Sequence, residues 1–163
     1  MILAVTGHRP HKLGGYSDEA FKKLYTLASD YLAVLQPTLV ITGMALGWDQ
    51  AIAQAAIDLG IPFHAYVPCD SQDRKWPFEA GEKYRKLLSK AAKVVVTCPG
   101  PYAVWKMQVR NEKMVDEADT ILACWDGSNG GTYNCIEYAK KKAKPVVNCY
   151  KEHLNEMQNT PKV

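Results

Sequence analysis

The sequence predicts an α/β protein with a Rossmann-like, doubly wound, mainly parallel sheet of about six strands and helices on both faces. Three observations predict this fold. Short apolar runs alternate with helical patterns along the 163-residue chain, which is the order of parallel strands joined by crossover helices. The apolar runs are continuous, as in strands buried on both faces. Glycine follows several runs closely, and ligands bind at such strand-to-helix turns in open α/β sheets.

Local signals define each element. Apolar runs place the predicted strands at residues 2–6, 38–42, 62–67, 93–97, 120–125 and 145–149. Apolar residues at helical spacing place the predicted helices at residues 17–35, 49–59, 79–91, 105–117 and 132–143. Ser17 has the hydroxyl of a helix N-cap, Pro37 ends the first helix, and Gly60 ends the second. We expect one domain over residues 1–163, in which a polar C-terminal tail, residues 151–163, is a short helix or a loose segment.

Composition narrows the class of protein. The net charge of +3, from 20 basic and 17 acidic residues, is too balanced to indicate nucleic-acid binding by itself. No apolar run reaches the ~18 residues of a membrane span, so we expect no membrane partner. The five cysteines are an odd number without a CxxC pair, which is typical of reduced thiols in a cytoplasmic protein. The sequence predicts no cofactor.

The stretch from Asp126 to Thr132 is the strongest candidate for a ligand site. It follows the apolar run 120–125 and precedes a predicted helix, which brings backbone N–H groups and the positive end of a helix dipole to an anion. Gly130 and Gly131 lack a Cβ, so a phosphate or sugar can approach the main chain closely. Thr132 is predicted either to cap the helix or to give its hydroxyl to the ligand. The alternative is an ordinary turn between a strand and a helix.

The turn after the first strand supplies further candidates, Gly7, His8 and Arg9. The Arg9 guanidinium is suited to a phosphate, which it can bind through two N–H groups at once. The alternative is a solvated or structural arginine. A metal site at His8 and His11 would need further ligands at close spacing, and the sequence has none, so no metal is predicted.

The turn after the second strand contains Gly43, Gly47, Trp48 and Asp49, all of which are candidates for ligand contact. Asp49 stands at a predicted helix start, where a carboxylate either caps the helix or accepts a hydrogen bond from a ribose hydroxyl. Trp48 is predicted either to stack on a base or to cover the core.

Arg110 and Asn111 lie inside the helix predicted over residues 105–117 and are the last candidates. Arg110 lies three residues after one core-facing methionine and four before the next, so it projects near the core-facing side. An unpaired buried charge is costly, so Arg110 needs a partner. We expect that partner to be Asp126, Asp49 or a bound phosphate; a purely internal salt bridge is the alternative.

These segments resemble the SLOG superfamily, which includes the Lonely Guy (LOG) phosphoribohydrolases, the DNA-processing DprA/Smf proteins and small YpsA-type proteins. The first segment resembles the YpsA-type branch most. The resemblance covers nearly the whole chain and rests on Thr6 to Pro10, Thr42 and Gly43 with Gly47 to Asp49, Arg110 and Asn111 with Met114, Ala118 and Asp119, and Asp126 and Gly127 with Gly130 to Thr132. It implies a Rossmann-like fold that binds a nucleotide or a nucleotide-derived small molecule at the glycine loops.

The resemblance to LOG enzymes breaks at one catalytic position. LOG enzymes carry an arginine, matched by Arg110, and a glutamate three residues after the threonine of a glycine motif, where this chain has Cys135. Glu137 lies about 200° further round the helix and is expected to point away. If the protein is an enzyme, Arg110 and Asp126 are the catalytic candidates. The possible replacements for the glutamate are an ionised Cys135, Asp49, Asp126 and Glu79.

We therefore expect a nucleotide-binding sensor, regulator or sequestering protein, with a phage or defence setting as one context. The alternative is an enzyme, an N-glycosidase or ribosyl transferase that acts on a nucleoside monophosphate. A second alternative is a DprA-like DNA-binding protein. A near-neutral chain without a basic stripe and interleaved aromatics argues against a nucleic-acid partner. Exposed aromatic residues such as Tyr102 and Trp105 permit a homo-oligomer.

Overall fold

In the computed structural model, which describes residues 1–158, strands and helices alternate as predicted. The strands are β1 (Ile2–Gly7), β2 (Leu39–Thr42), β3 (Phe63–Val67), β4 (Lys93–Val96), β5 (Thr120–Cys124) and β6 (Val146–Asn148). The helices are α1 (Asp18–Leu35), α2 (Trp48–Asp58), α3 (Phe78–Leu88), α4 (Val104–Glu117), α5 (Gly131–Lys141) and α6 (Tyr150–Gln158). A short 3-10 turn, Pro10–Lys12, follows β1.

The strands form one parallel sheet in the order β4-β3-β2-β1-β5-β6. β1 lies between β2 and β5, so the direction in which strands are added reverses at β1. Ligands in open α/β sheets bind beyond the carboxyl ends of the strands at such a reversal. The register pairs Thr6 with Ala123 and Gly7 with Cys124, so the loops after β1 and β5 leave the sheet side by side. The predicted Rossmann-like fold is confirmed.

Each face of the sheet has its own apolar core, because successive strand residues point to opposite faces. On one face, Leu3 and Val5 pack in a cluster with apolar residues of α1, α2 and α3. On the other face, Ala4 packs in a cluster with Met114 of α4 and Cys135 of α5. Both faces are thereby covered by helices, as the continuous apolar runs predict.

The ends of two helices differ from the prediction in ways that matter for the site. Gly47, at φ 94°, is the N-cap of α2, and Gly130, at φ 146°, is the N-cap of α5. Both backbone conformations favour glycine. Asp49 and Thr132 therefore lie inside the first turns of their helices, and their predicted capping roles are wrong. The Ser17 cap of α1 is confirmed, since its hydroxyl accepts a hydrogen bond from a backbone N–H at 3.1 Å.

The C-terminal segment is helical as far as the structure describes it. α6 packs on α1, where Glu152 accepts a hydrogen bond from the Tyr31 hydroxyl at 2.8 Å and His153 is buried. Residues 159–163 of the predicted tail lie outside the described residues. Within residues 1–158, no helix has the length and apolar character that a membrane crossing requires. Tyr102 and Trp105, beside the start of α4, are exposed as predicted.

Candidate functional site

A cavity of about 290 Å³ lies at the carboxyl ends of the central strands, where the strand order reverses. The turns after β1, β2 and β5 and one side of α4 line it. The predicted ligand-binding residues that line it are Gly7, His8, Arg9, Asp49, Arg110, Asn111, Gly130, Gly131 and Thr132. Residues from four separate segments of the sequence thus converge on one cavity.

The amino end of α5 forms one wall of this cavity. No side chain caps this helix, so its first backbone N–H groups remain available to a ligand. A Cβ placed on Gly130 or Gly131 would meet no atom within 4 Å, which means that the main chain here faces open space. Thr132 adds a hydroxyl-bearing side chain to the same wall. This geometry fits an anion, because the helix dipole is positive at this end.

Two exposed-loop cations, Arg9 and Lys12, line the same cavity. Arg9 is exposed at the cavity rim, and within residues 1–158 its side chain makes no hydrogen bond or ion pair. Lys12, from the 3-10 turn, donates a hydrogen bond through Nζ to Ser128 Oγ at 2.7 Å. Lys12 was not among the sequence candidates; the 3-10 turn after β1 brings it across to the β5–α5 loop.

Arg110 is 3% exposed and is held by carbonyl groups. Its Nη1 donates to the carbonyl oxygens of Gly43 at 2.7 Å and Tyr66 at 3.3 Å, and its Nε donates to Asn111 Oδ1 at 2.8 Å. Within the described residues, Nη2 makes no hydrogen bond and no carboxylate lies within ion-pair distance of the guanidinium. An internal salt bridge is therefore wrong for Arg110. Burial lowers the pKa of the guanidinium, and the nearby Asp49 opposes that shift.

Asp49 is a buried carboxylate with a free oxygen. Its Oδ2 accepts a hydrogen bond from the Ala45 N–H at 3.3 Å, while its Oδ1 is buried and has no hydrogen-bond partner within the described part of the chain. Burial raises the pKa of Asp49 to about 6, although the charges of Arg110 and Arg9 oppose this. Functional sites commonly contain a carboxylate whose pKa is raised by burial in a cavity.

The raised pKa of Asp49 predicts a pH-dependent difference in stability between the wild type and Asp49→Asn. Because the folded state holds the Asp49 proton more tightly than the unfolded state, this group stabilises the fold below about pH 4, and the contribution is lost as pH rises through about 6. We expect the stability of Asp49→Asn relative to wild type to rise by up to roughly 3 kcal/mol between pH 4 and pH 7.5.

Urea unfolding at both pH values measures this difference. Asp58→Asn, which removes an exposed carboxylate from the same helix, is the matched control. An Asp49→Asn difference that is the same at both pH values would contradict the raised pKa.

His8 and Asp126 form a contact that ties the loop after β1 to the loop after β5. His8 Nε2 lies 2.7 Å from Asp126 Oδ1, and the Ser128 N–H donates to the same oxygen at 2.9 Å. The hydrogen bonds from Ser128, followed by the contact with His8, hold the pKa of Asp126 well below its usual range. Asp126 does not line the cavity. The engagement of its Oδ1 by His8 and Ser128 argues against its predicted place at the ligand or in catalysis.

Three of the predicted glycines make room for protein atoms. A Cβ on Gly7 would lie 2.6 Å from Trp48, and one on Gly43 would lie 2.5 Å from the Arg110 guanidinium. A Cβ on Gly47 would lie 2.7 Å from a backbone carbonyl oxygen. Gly43, Gly47 and Trp48 do not line the cavity. Trp48 is 0% exposed, so the base-stacking role is wrong and the core role is correct.

The sequence suggests several replacements for the catalytic glutamate of LOG enzymes. Within residues 1–158, Asp49 is the one carboxylate among them that lines the cavity. Cys135 is buried, and burial raises its pKa to about 11, so the predicted ionised thiol is wrong. Glu137 is exposed and pairs with Lys140 at 3.4 Å, pointing away as predicted. Glu79 is exposed on α3 and outside the cavity.

Several lining residues were not among the predicted ligand-binding residues. They are Val5, Thr6, His11, Lys12, Ala45, Met107 and Asn129. Asn129 lies inside the glycine-rich turn, so a reading of every residue in that turn would have found it. Met107 has core-helix spacing, which gives no sign of a cavity. Within residues 1–158, no group of three or more His, Cys, Asp or Glu side chains is placed to hold a metal ion.

A family model and several individual proteins match the sequence of this chain. A family model described as the YspA SLOG family (YpsA) matches residues 3–158. An uncharacterized SPbeta prophage-derived protein, YoqJ of Bacillus subtilis (strain 168), is 35% identical over 118 residues, which cover 62% of this chain and 68% of YoqJ. A UPF0398 protein of Bacillus cereus (strain B4264) is 24% identical over 160 residues, which cover 88% of this chain and 84% of that relative.

Solved structures share the fold. DNA processing protein A from Helicobacter pylori, described for its single-stranded DNA binding mode, matches with a TM-score of 0.65 at 19% identity, over 98% of this chain and 74% of that chain. The molybdenum cofactor binding protein from the phototrophic bacterium Rippkaea orientalis matches with a TM-score of 0.59 at 20% identity, over 97% of this chain and 84% of that chain. At these identities the likeness concerns the fold alone.

Proposed function

This chain belongs to the YspA SLOG family, and we propose that it binds a nucleotide or a nucleotide-derived ligand in the cavity beside α5, as a sensor, regulator or sequestering protein. The observation that carries the proposal is the uncapped amino end of α5, with open space at Gly130 and Gly131, facing a cavity that Arg9, Lys12 and Arg110 also line. Backbone N–H groups, a helix dipole and cationic side chains together suit a phosphate group.

The size of the cavity supports a small ligand. About 290 Å³ is at the lower end of the range for pockets that bind small molecules. A mononucleotide or one half of a larger nucleotide conjugate is the scale that this volume suggests. All five cysteines are free thiols, which supports a cytoplasmic location as part of the same proposal.

Arg9→Ala is expected to weaken ligand binding without a loss of stability. Arg9 is exposed and has no partner within residues 1–158, so its removal leaves no protein group unsatisfied. Loss of one charged contact to a phosphate should weaken binding by about 1.5–3 kcal/mol. Calorimetric titration with AMP, together with a melting curve, measures both effects. Arg74→Ala, which removes an exposed arginine outside the cavity, is the matched control. If the two variants bind AMP with equal affinity, Arg9 does not contact the ligand.

A thermal-shift screen tests the proposal as a whole. The probes are AMP, ADP-ribose, NAD, cyclic dinucleotides and a single-stranded oligonucleotide, the last because a fold neighbour is described as binding single-stranded DNA. A ligand present at 100 times its Kd adds about 2.7 kcal/mol to the free energy of unfolding, which shifts the melting temperature measurably. A shift with nucleotides supports the proposal. A shift with the oligonucleotide alone would favour DNA binding, and no shift at all would refute ligand binding of this class.

A second candidate function is N-glycosidase or ribosyl transfer on a nucleoside monophosphate. The observation that favours it is Asp49, a carboxylate with a raised pKa and a free oxygen in the same cavity as Arg110. A carboxylate near the sugar stabilises the oxocarbenium-like transition state of glycosidic cleavage. Chromatography of the screened mixtures separates the candidates: released base in the wild type but not in Asp49→Asn supports the enzyme, and intact ligand supports binding alone.

A further inference from the structure

Asp49, which lines the cavity, has a buried carboxylate oxygen without a hydrogen-bond partner in the described chain. Asp49 lies in the first turn of α2, where it is 6% exposed and lines the cavity. Its Oδ2 is held by the Ala45 N–H, but Oδ1 is buried and unpaired within residues 1–158. Buried carboxylate oxygens are normally hydrogen-bonded, because removing them from water without a partner is costly. An unpaired one beside a cavity indicates that the ligand supplies the partner.

The chemistry of a carboxylate restricts what that partner is. An ionised carboxylate only accepts hydrogen bonds, so its partner must be a donor. A phosphate group is disfavoured beside this oxygen because like charges repel, so we expect the phosphate at the amino end of α5 and at Arg9. With Oδ2 already bound by Ala45, Asp49 has one oxygen for the ligand. A partner that needs both carboxylate oxygens, such as a guanine edge or a guanidinium, is therefore a poor fit.

We infer that Asp49 Oδ1 accepts a hydrogen bond from a sugar hydroxyl of the bound ligand, so that the site selects a ribosyl phosphate over its deoxy analogue and over bare phosphate. This selectivity rests on the phosphate-binding function proposed above. A ribosyl phosphate carries an anion and neutral hydroxyl donors on one small framework. That combination matches a cavity lined by cationic groups and a helix amino end together with a single free carboxylate oxygen.

A comparison of ligand analogues and variants tests the inference. The probes are AMP, its 2′-deoxy and 3′-deoxy forms, IMP, which lacks the exocyclic amino group, and inorganic phosphate. For the wild type, we expect AMP to bind roughly tenfold or more tightly than one of the deoxy forms, the ratio that a hydrogen bond to a charged group produces. Asp49→Ala should reduce that ratio to near one while inorganic phosphate binding is retained. The control Asp58→Asn, outside the cavity on the same helix, should keep the wild-type ratio.

The results that overturn the inference differ from those that overturn the proposed function. An AMP-to-deoxy ratio that Asp49→Ala leaves unchanged refutes the hydroxyl contact. So does a wild-type protein that binds inorganic phosphate as tightly as AMP. If Asp49→Ala instead changes the ratio of AMP to IMP, the carboxylate contacts the base and the inference is wrong. Failure of every phosphate-containing probe, inorganic phosphate included, refutes the phosphate site itself. Asp49→Leu, which has a similar size but accepts no hydrogen bond, repeats the comparison if the alanine variant does not fold.

Discussion

Gly131→Val is expected to abolish ligand binding while the fold stays intact. Gly131 is the first residue of α5 and does not have positive φ, so valine fits its backbone without strain. A Cβ here meets no protein atom within 4 Å, so the added methyl groups enter the cavity beside the helix N–H groups. Loss of two charge-assisted contacts, at ~1.5–3 kcal/mol each, should reduce the affinity for AMP by more than about 100-fold. Calorimetric titration measures the affinity, and a melting curve checks the fold.

Asn134→Val is the matched control for this substitution. Asn134 is exposed on α5 and does not line the cavity. Valine at this position therefore introduces the same side chain into the same helix without entering the site. Wild-type affinity is expected for this control. If Gly131→Val also binds AMP with wild-type affinity, the ligand does not lie at the amino end of α5.

Arg110→Met is expected to destabilise the protein and to weaken binding at the same time. The guanidinium bonds to the carbonyl oxygens of Gly43, in the β2–α2 turn, and Tyr66, in β3. Methionine keeps most of the buried stem but removes the hydrogen bond to the Tyr66 carbonyl, at about 1–3 kcal/mol, while the Gly43 carbonyl keeps a hydrogen bond from Gln72 Nε2 at 3.2 Å. A fall in melting temperature of roughly 2–12 °C corresponds to that loss in a chain of this size. Arginine at this position is thus a structural anchor as well as a candidate ligand contact.

Two comparisons isolate the role of Arg110. Arg85→Met removes a largely exposed arginine that pairs with Asp73 at 2.6 Å, and a change of under about 1 kcal/mol is expected there. Because Arg110 partly offsets the charge of Asp49, Asp49→Asn should recover part of the stability that Arg110→Met loses. A melting temperature for Arg110→Met equal to that of wild type would contradict the anchoring role.

The sequence predicts the fold well because the fold depends on local patterns. Continuous apolar runs, helical spacing and glycine after the strands are all visible in the chain, and the structure has the corresponding strands, helices and turns. The convergence of the turns after β1, β2 and β5 also follows, because the carboxyl ends of parallel strands lie at one edge of a sheet. Most candidate residues at those turns therefore line one cavity.

The partners of individual side chains depend on distant contacts that no local pattern contains. Arg110 bonds to backbone carbonyls, and since every residue has a carbonyl, the sequence gives no sign of which ones are near. Asp126 is bound by His8, 118 residues away in the chain. Trp48 turns into the core because Gly7 leaves space for its ring. The unpaired oxygen of Asp49 is likewise not visible in the sequence. A carboxylate at a helix start is usually a cap, so the sequence alone predicts that its oxygens are bound.

The most direct test of the phosphate site is an NMR titration of the wild-type protein with AMP, followed through the backbone amide resonances. If the ligand phosphate contacts the amino end of α5, the amides of Gly131 and Thr132 should shift with the ligand concentration, and Arg9→Ala should move the midpoint to higher concentration. Shifts confined to a different surface, such as residues 140–142 at the basic carboxyl end of α5, or no shift at millimolar AMP, would contradict the account.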